Sequence, residues 1–76
     1  METPQTMTKR EQDISYFITF CVEQYKKWKN LSGAEVVQLF DQYGVLEYLC
    51  ANYETLHTQS HQWIIDDINQ YITNRQ

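Results

Sequence analysis

No lysine and no arginine occurs between Ser32 and Asn74, although Glu35, Asp41, Glu47, Glu54, Asp66 and Asp67 all fall there. Of the six cations, Lys9, Arg10, Lys26, Lys27 and Lys29 precede that stretch and only Arg75 follows it. The net charge of −4 therefore resides mainly in the latter half. Such a field repels a phosphate backbone and suits a basic protein surface, so nucleic acid is not the expected partner. Cysteine is also scarce. Two residues, Cys21 and Cys50, are too few for the disulfide framework of a small secreted domain. Both lie in apolar stretches and are expected to be reduced core thiols, where the thiolate is disfavoured. No run of about 18 apolar residues exists to span a membrane. Met1 to Gln12 is polar, without the apolar core of a signal peptide, and the expected location is cytoplasmic. With only Gly33 and Gly44 present, the chain has no glycine-rich phosphate loop.

What the chain does have is aromatic bulk. Its 76 residues make one domain, and a domain of that size buries only roughly 60% of its unfolded surface. Two Trp, six Tyr and three Phe offset this by burying large areas per residue. They also leave aromatic surface over for a partner.

The apolar spacing predicts an all-α chain, a compact bundle of about four helices in a single small domain. Met1 to Met7 has no periodicity and contains Pro4, so residues 1–7 are expected to be a disordered lead-in to a helical domain over 8–76. From Thr8 to Lys29, the residues Ile14, Phe17, Ile18, Cys21, Val22, Tyr25 and Trp28 form one helical stripe, with Trp28 expected inward. Thr8 with Glu11, and Ser32 with Glu35, have the form of capping boxes opening the first and second helices. Lys26, Lys27 and Lys29 complement the negative end of the first helix. The inner face of the second is expected from Val36, Val37, Leu39, Phe40 and Tyr43, with Gly44 as its left-handed stop. A third helix from Val45 to about Asn52 is expected to bury Val45, Leu46, Tyr48, Leu49 and Cys50. Tyr53 to Thr58 reads as a turn or a fraying helical end. A last helix from about Ser60 to Thr73 carries Ile64, Ile65, Ile68, Tyr71 and Ile72 in one stripe. Sustained period-two alternation is absent, which excludes a sheet.

Three tracts stand out: Tyr43-Gly44-Val45-Leu46-Glu47-Tyr48-Leu49, Asn52-Tyr53-Glu54-Thr55-Leu56-His57-Thr58-Gln59, and Ile65-Asp66-Asp67-Ile68. They resemble a family of short bacterial proteins catalogued as domain of unknown function 3791, over roughly Ile14 to Ile72. Leu56-His57-Thr58-Gln59 followed by Asp66-Asp67 is the most specific part of the match. Members of the family are often encoded beside larger proteins resembling ADP-ribosyltransferases. The resemblance thus implies an accessory, antitoxin or immunity role, and it transfers no catalytic residue.

Each polar constellation has a structural and a functional reading. His57 and His61, four apart, would complete a zinc site only with Cys50 or Asp66, and two imidazoles do not fix a metal. No metal and no cofactor is expected. Thr58 and Ser60 are natural N-caps for the last helix, while His57 and Gln59 suit a recognition loop. Asp66 and Asp67 point about 100° apart and do not converge on one atom, which suggests a solvated acidic face meeting a basic partner. Lys26-Lys27-Trp28-Lys29 is a thin electrostatic footprint for nucleic acid. An enzyme would need a pocket of about 300 Å³ or more, which so short a chain can hardly spare.

The expected function is therefore protein binding, through Tyr53, Glu54, His57, Gln59, Trp63, Asp66 and Asp67, with Tyr71 as a further surplus aromatic. The expected partner is a protein with a basic surface, encoded by an adjacent gene. A self-associating homodimer is the alternative, and a small metal- or ligand-binding regulatory domain centred on His57, His61 and Asp66 is the third reading.

Overall fold

A computed structural model describes residues 8–76, and the expected disordered lead-in lies outside them. Among the described residues the chain is all-α, with five helices: α1 Lys9–Lys29, α2 Gly33–Tyr43, α3 Val45–Ala51, α4 Tyr53–Leu56 and α5 His61–Arg75. Both capping boxes form. The side chains of Thr8 and Ser32 accept from the backbone N–H groups of Glu11 and Glu35, whose carboxylates accept in return from the cap N–H groups at 3.0 and 2.8 Å. Each box satisfies two of the N–H groups that a helix start leaves free.

The helix ends also have local causes. Asn30 stops α1 in the left-handed conformation at φ 57°, and its N–H bonds back to the Lys26 carbonyl. Asn is among the few residues that tolerate that region. Gly44 stops α2 at φ 71° and leads directly into α3, so a single residue turns the chain between two helices. Tyr53 to Thr58, expected as a turn or fraying end, contains the one-turn α4, followed by a break before Ser60. Ser60 then caps α5 by accepting from the N–H of Trp63 at 3.2 Å.

α1 packs on α2, α3 and α5, and α3 also meets α5. Phe17, Cys21 and Tyr25 of α1 join Val36, Phe40, Val45, Leu49 and Leu56, with Ile64, Ile65, Ile68 and Ile72 of α5, in one core. Fully burying an isoleucine such as Ile68 contributes about 1.5–3 kcal/mol. Tyr25 meets Phe40 edge-on at 5.3 Å, and its hydroxyl donates to Asn69 Oδ1 at 3.4 Å, which ties α1 to α5. That buried ring is under continuous desolvation, and the Tyr25 pKa is raised accordingly.

Three expected core positions lie elsewhere. Cys50 is exposed, because α3 turns Val45 and Leu49 inward and its next residue points about 100° away. Trp28, at the end of the α1 stripe, is 45% exposed, because the buried part of the stripe ends at Tyr25, whose ring lies 5.8 Å from that of Trp28. Val37 is 48% exposed beside the buried Val36. Leu46 and Tyr48 are half-buried at the edge of the core.

Candidate functional site

Most of the expected site residues line depressions along α5 and its contact with α1. At one end, Asp13, Tyr16, Phe17, Phe20, Tyr53, His57, Gln59, His61 and Ile64 line an open depression of about 400 Å³. The C-terminus of α4 and the start of α5 bring both histidines here. His57 stacks on Tyr53 at 4.3 Å and its Nδ1 lies 2.7 Å from the Tyr53 carbonyl, while His61 meets Phe20 edge-on at 4.6 Å. The helix break means that the two imidazoles share a depression rather than a helical face. Neither Cys50 nor Asp66 lines it. Among the described residues, no three His, Cys, Asp or Glu side chains come together as metal ligands.

The depression continues into others. His61 also borders a second one with Gln24, Lys27, Trp28, Gln62 and Ile65. Trp28 in turn borders a third with Asp66, Asn69, Gln70 and Thr73. Asp66 and Gln70 belong as well to a fourth, completed by Trp63 and Asp67. Neighbouring depressions thus share lining residues, and taken together their linings form a band from Tyr16 to Trp63 that includes aromatic rings, imidazoles, side-chain amides and the carboxylates of Asp13, Asp66 and Asp67. Tyr16, 76% exposed, and the half-exposed Trp28 and Trp63 all lie on it.

Six of the seven expected residues line this band. The seventh, Glu54, is exposed and pairs with Arg10, whose guanidinium stands 5.9 Å from the centroid of the Tyr53 ring. Tyr53 and Tyr71 are less available than expected. Tyr53 is half-buried against Phe17 at 5.5 Å, and Tyr71 is half-buried in a stack with Tyr48 at 4.1 Å. Sequence reasoning missed Tyr16, which sits outside the α1 apolar stripe, and misplaced Trp28.

The two adjacent carboxylates differ. Asp66 is exposed and accepts from Gln62 Nε2 at 2.9 Å. Asp67 is half-buried, so it is not the purely solvated acid expected; its Oδ2 accepts from the Tyr48 hydroxyl at 2.6 Å. Burial first, and then the hydrogen bond and charge of Asp67, push the Tyr48 pKa up to about 12. Away from the band, Glu11, Ile14, Ser15, Ile18, Thr19 and Cys50 line a cleft of about 560 Å³ between α1 and α3. Volumes above the 300 Å³ thought too large for so short a chain are therefore present, but as open surface clefts rather than enclosed pockets.

Such a band offers ring faces and hydrogen-bonding groups, the chemistry of protein-recognition surfaces. Cys21 does not line it: the thiol is buried, and desolvation pushes its pKa up to about 12. Among the described residues no helix is long and apolar enough to cross a membrane. No curated protein and no solved structure matches the chain. A family model does match residues 16–75, nearly all of the helical domain and the whole band except Asp13, and the chain accordingly belongs to the family described as protein of unknown function (DUF3791).

Proposed function

We propose that this chain is a small protein-binding module that presents the α1–α5 band to a partner with a basic surface. The observation that carries this reading is the placement of three exposed aromatics, Tyr16, Trp28 and Trp63, in depressions that share lining residues. Exposed tryptophan and tyrosine carry a disproportionate share of binding energy where proteins meet. The absence of lysine and arginine between Ser32 and Asn74 adds the electrostatic preference. The partner is proposed to be the product of an adjacent gene, resembling an ADP-ribosyltransferase, with this chain in an accessory, antitoxin or immunity role in the bacterial cytoplasm.

Co-expression with the adjacent product, followed by titration calorimetry, tests the reading. A complex is expected at low salt. Trp28→Ala and Tyr16→Ala should each weaken it about tenfold, the loss of one hot-spot side chain. No complex with any neighbouring product sinks the proposal.

A second reading is favoured by the separate cleft between α1 and α3. Ile14, Ile18 and the exposed Cys50 form an apolar face there that a second copy of the chain would close. Light scattering on the purified protein decides it, and a strictly monomeric species removes the homodimer.

A further inference from the structure

The chain's own cations are nearly all engaged. Lys9 pairs with Asp13 at 3.2 Å, Lys26 with Glu23 at 3.2 Å, and Arg10 with Glu54. Lys29 lies 5.1 Å over Trp28 and Arg75 3.9 Å over Tyr71. Arg10 shows the pattern most completely, because Tyr53 supplies a ring face and Glu54 a carboxylate to the same guanidinium.

Trp63 and Asp66 offer those two elements again. They are three residues apart, neighbours on one face of α5, and they line one cleft with Asp67 and Gln70. No cation of the described residues pairs with Asp66 or lies over Trp63. Gln62 takes Asp66 Oδ1, which leaves Oδ2 open. Asp67 is committed to Tyr48, and the Trp28 ring already carries Lys29. Trp63 and Asp66 therefore form an aromatic–carboxylate pair that none of the chain's own cations engages.

We propose that the cleft of Trp63, Asp66 and Gln70 receives an arginine side chain of the partner protein. The proposal rests on the protein-binding reading and names what one end of the band holds. A guanidinium is planar and weakly hydrated, so it stacks on an indole while donating in-plane bonds to a carboxylate and an amide oxygen. Asp66 Oδ2 and the Gln70 side-chain oxygen are the acceptors, and the Trp63 face is the platform. A lysine ammonium, more strongly hydrated and without a flat face, fits the cleft less well.

The test titrates N-acetyl-arginine amide into the isotopically labelled protein and follows the Trp63 indole N–H by NMR. The neutral isostere N-acetyl-citrulline amide and N-acetyl-lysine amide are titrated in parallel. A saturable shift with a Kd on the order of millimolar is expected for arginine, as suits one side chain. The lysine probe should bind several-fold more weakly, and citrulline should leave the indole unmoved. Asp66→Asn should weaken the arginine probe about tenfold, while Asp41→Asn, an exposed carboxylate on α2 away from the cleft, leaves it unchanged. Both changes lie outside the core, and thermal melts verify that each variant is folded. An indole indifferent to arginine, or moved equally by citrulline, overturns the proposal. With a partner complex in hand, weakening by Tyr16→Ala but not by Asp66→Asn overturns the arginine site and leaves the band reading standing. Probe binding as expected, by a chain that forms no partner complex, shows a guanidinium site in the cleft but overturns its assignment to a partner protein.

Discussion

Replacing Tyr48 by phenylalanine removes one hydroxyl and little else. The stack on Tyr71 at 4.1 Å can persist, and the ring volume stays the same. What disappears is the 2.6 Å hydrogen bond to Asp67, which links α3 to α5. Hydrogen bonds to charged groups contribute about 1.5–3 kcal/mol where water is excluded. Both residues are only half-buried, so water can partly replace the hydroxyl at the carboxylate. The net loss should accordingly be about 1–1.5 kcal/mol, at or just below the low end of that range. With an unfolding entropy of about 2.1 cal/mol/K per residue, that loss lowers Tm by about 6–9 °C. Circular-dichroism melts at pH 7 measure it, and Asp67→Asn, which keeps an acceptor, should cost less. The alkaline limb gives an independent readout. Tyr48 holds its proton more tightly when folded, with a pKa raised from 10.0 to about 12. Its stabilisation is complete below about pH 10 and lost as pH rises towards 12. In spectrophotometric titration of the native protein at 295 nm, one late-ionising tyrosine should vanish in Tyr48→Phe. A variant whose Tm stays within about 2 °C of wild type, a shift worth only about 0.3 kcal/mol, refutes the role given to this bond.

The thiols make a second prediction. Ellman's reagent should modify Cys50 in the native protein and Cys21 only on unfolding, since burial pushes the Cys21 thiol up to about 12; two fast thiols would contradict the packing of α1. Gly44→Ala should destabilise by about 1–2 kcal/mol in a denaturant titration, because φ is 71° while an added Cβ meets only Glu47 Oε1 at an ordinary 3.7 Å. An unchanged midpoint would mean that the turn between α2 and α3 is not held left-handed.

Local features were the legible ones. Thr8 with Glu11 and Ser32 with Glu35 announce helix starts because the bonds they make span three residues. Gly44 announces a stop for the same reason, and the isoleucines of α5 name its buried face. The errors at Trp28, Val37 and Cys50 have one physical source. An apolar stripe gives a helix its inward direction, but the neighbouring helices decide where the cover ends. The candidate site divides likewise. His57, Gln59, Trp63 and Asp66 were visible as exposed chemistry on or beside one helix. Their union with Tyr16, Phe20 and Trp28 was not, because it depends on α1 lying along α5. Asp67 was misread because its Tyr48 partner stands 19 positions away.

The two sides of α5 carry separate responsibilities. Ile64, Ile65, Ile68 and Ile72 anchor the helix inside, while Trp63, Asp66 and Gln70 stand outside that anchor. Substitutions at those three outer positions would leave the isoleucine anchor untouched. The chemistry of that outer face can therefore drift, or be redesigned, on a backbone that never has to be rebuilt: α5 is a rod fixed along one edge and free to vary along the other.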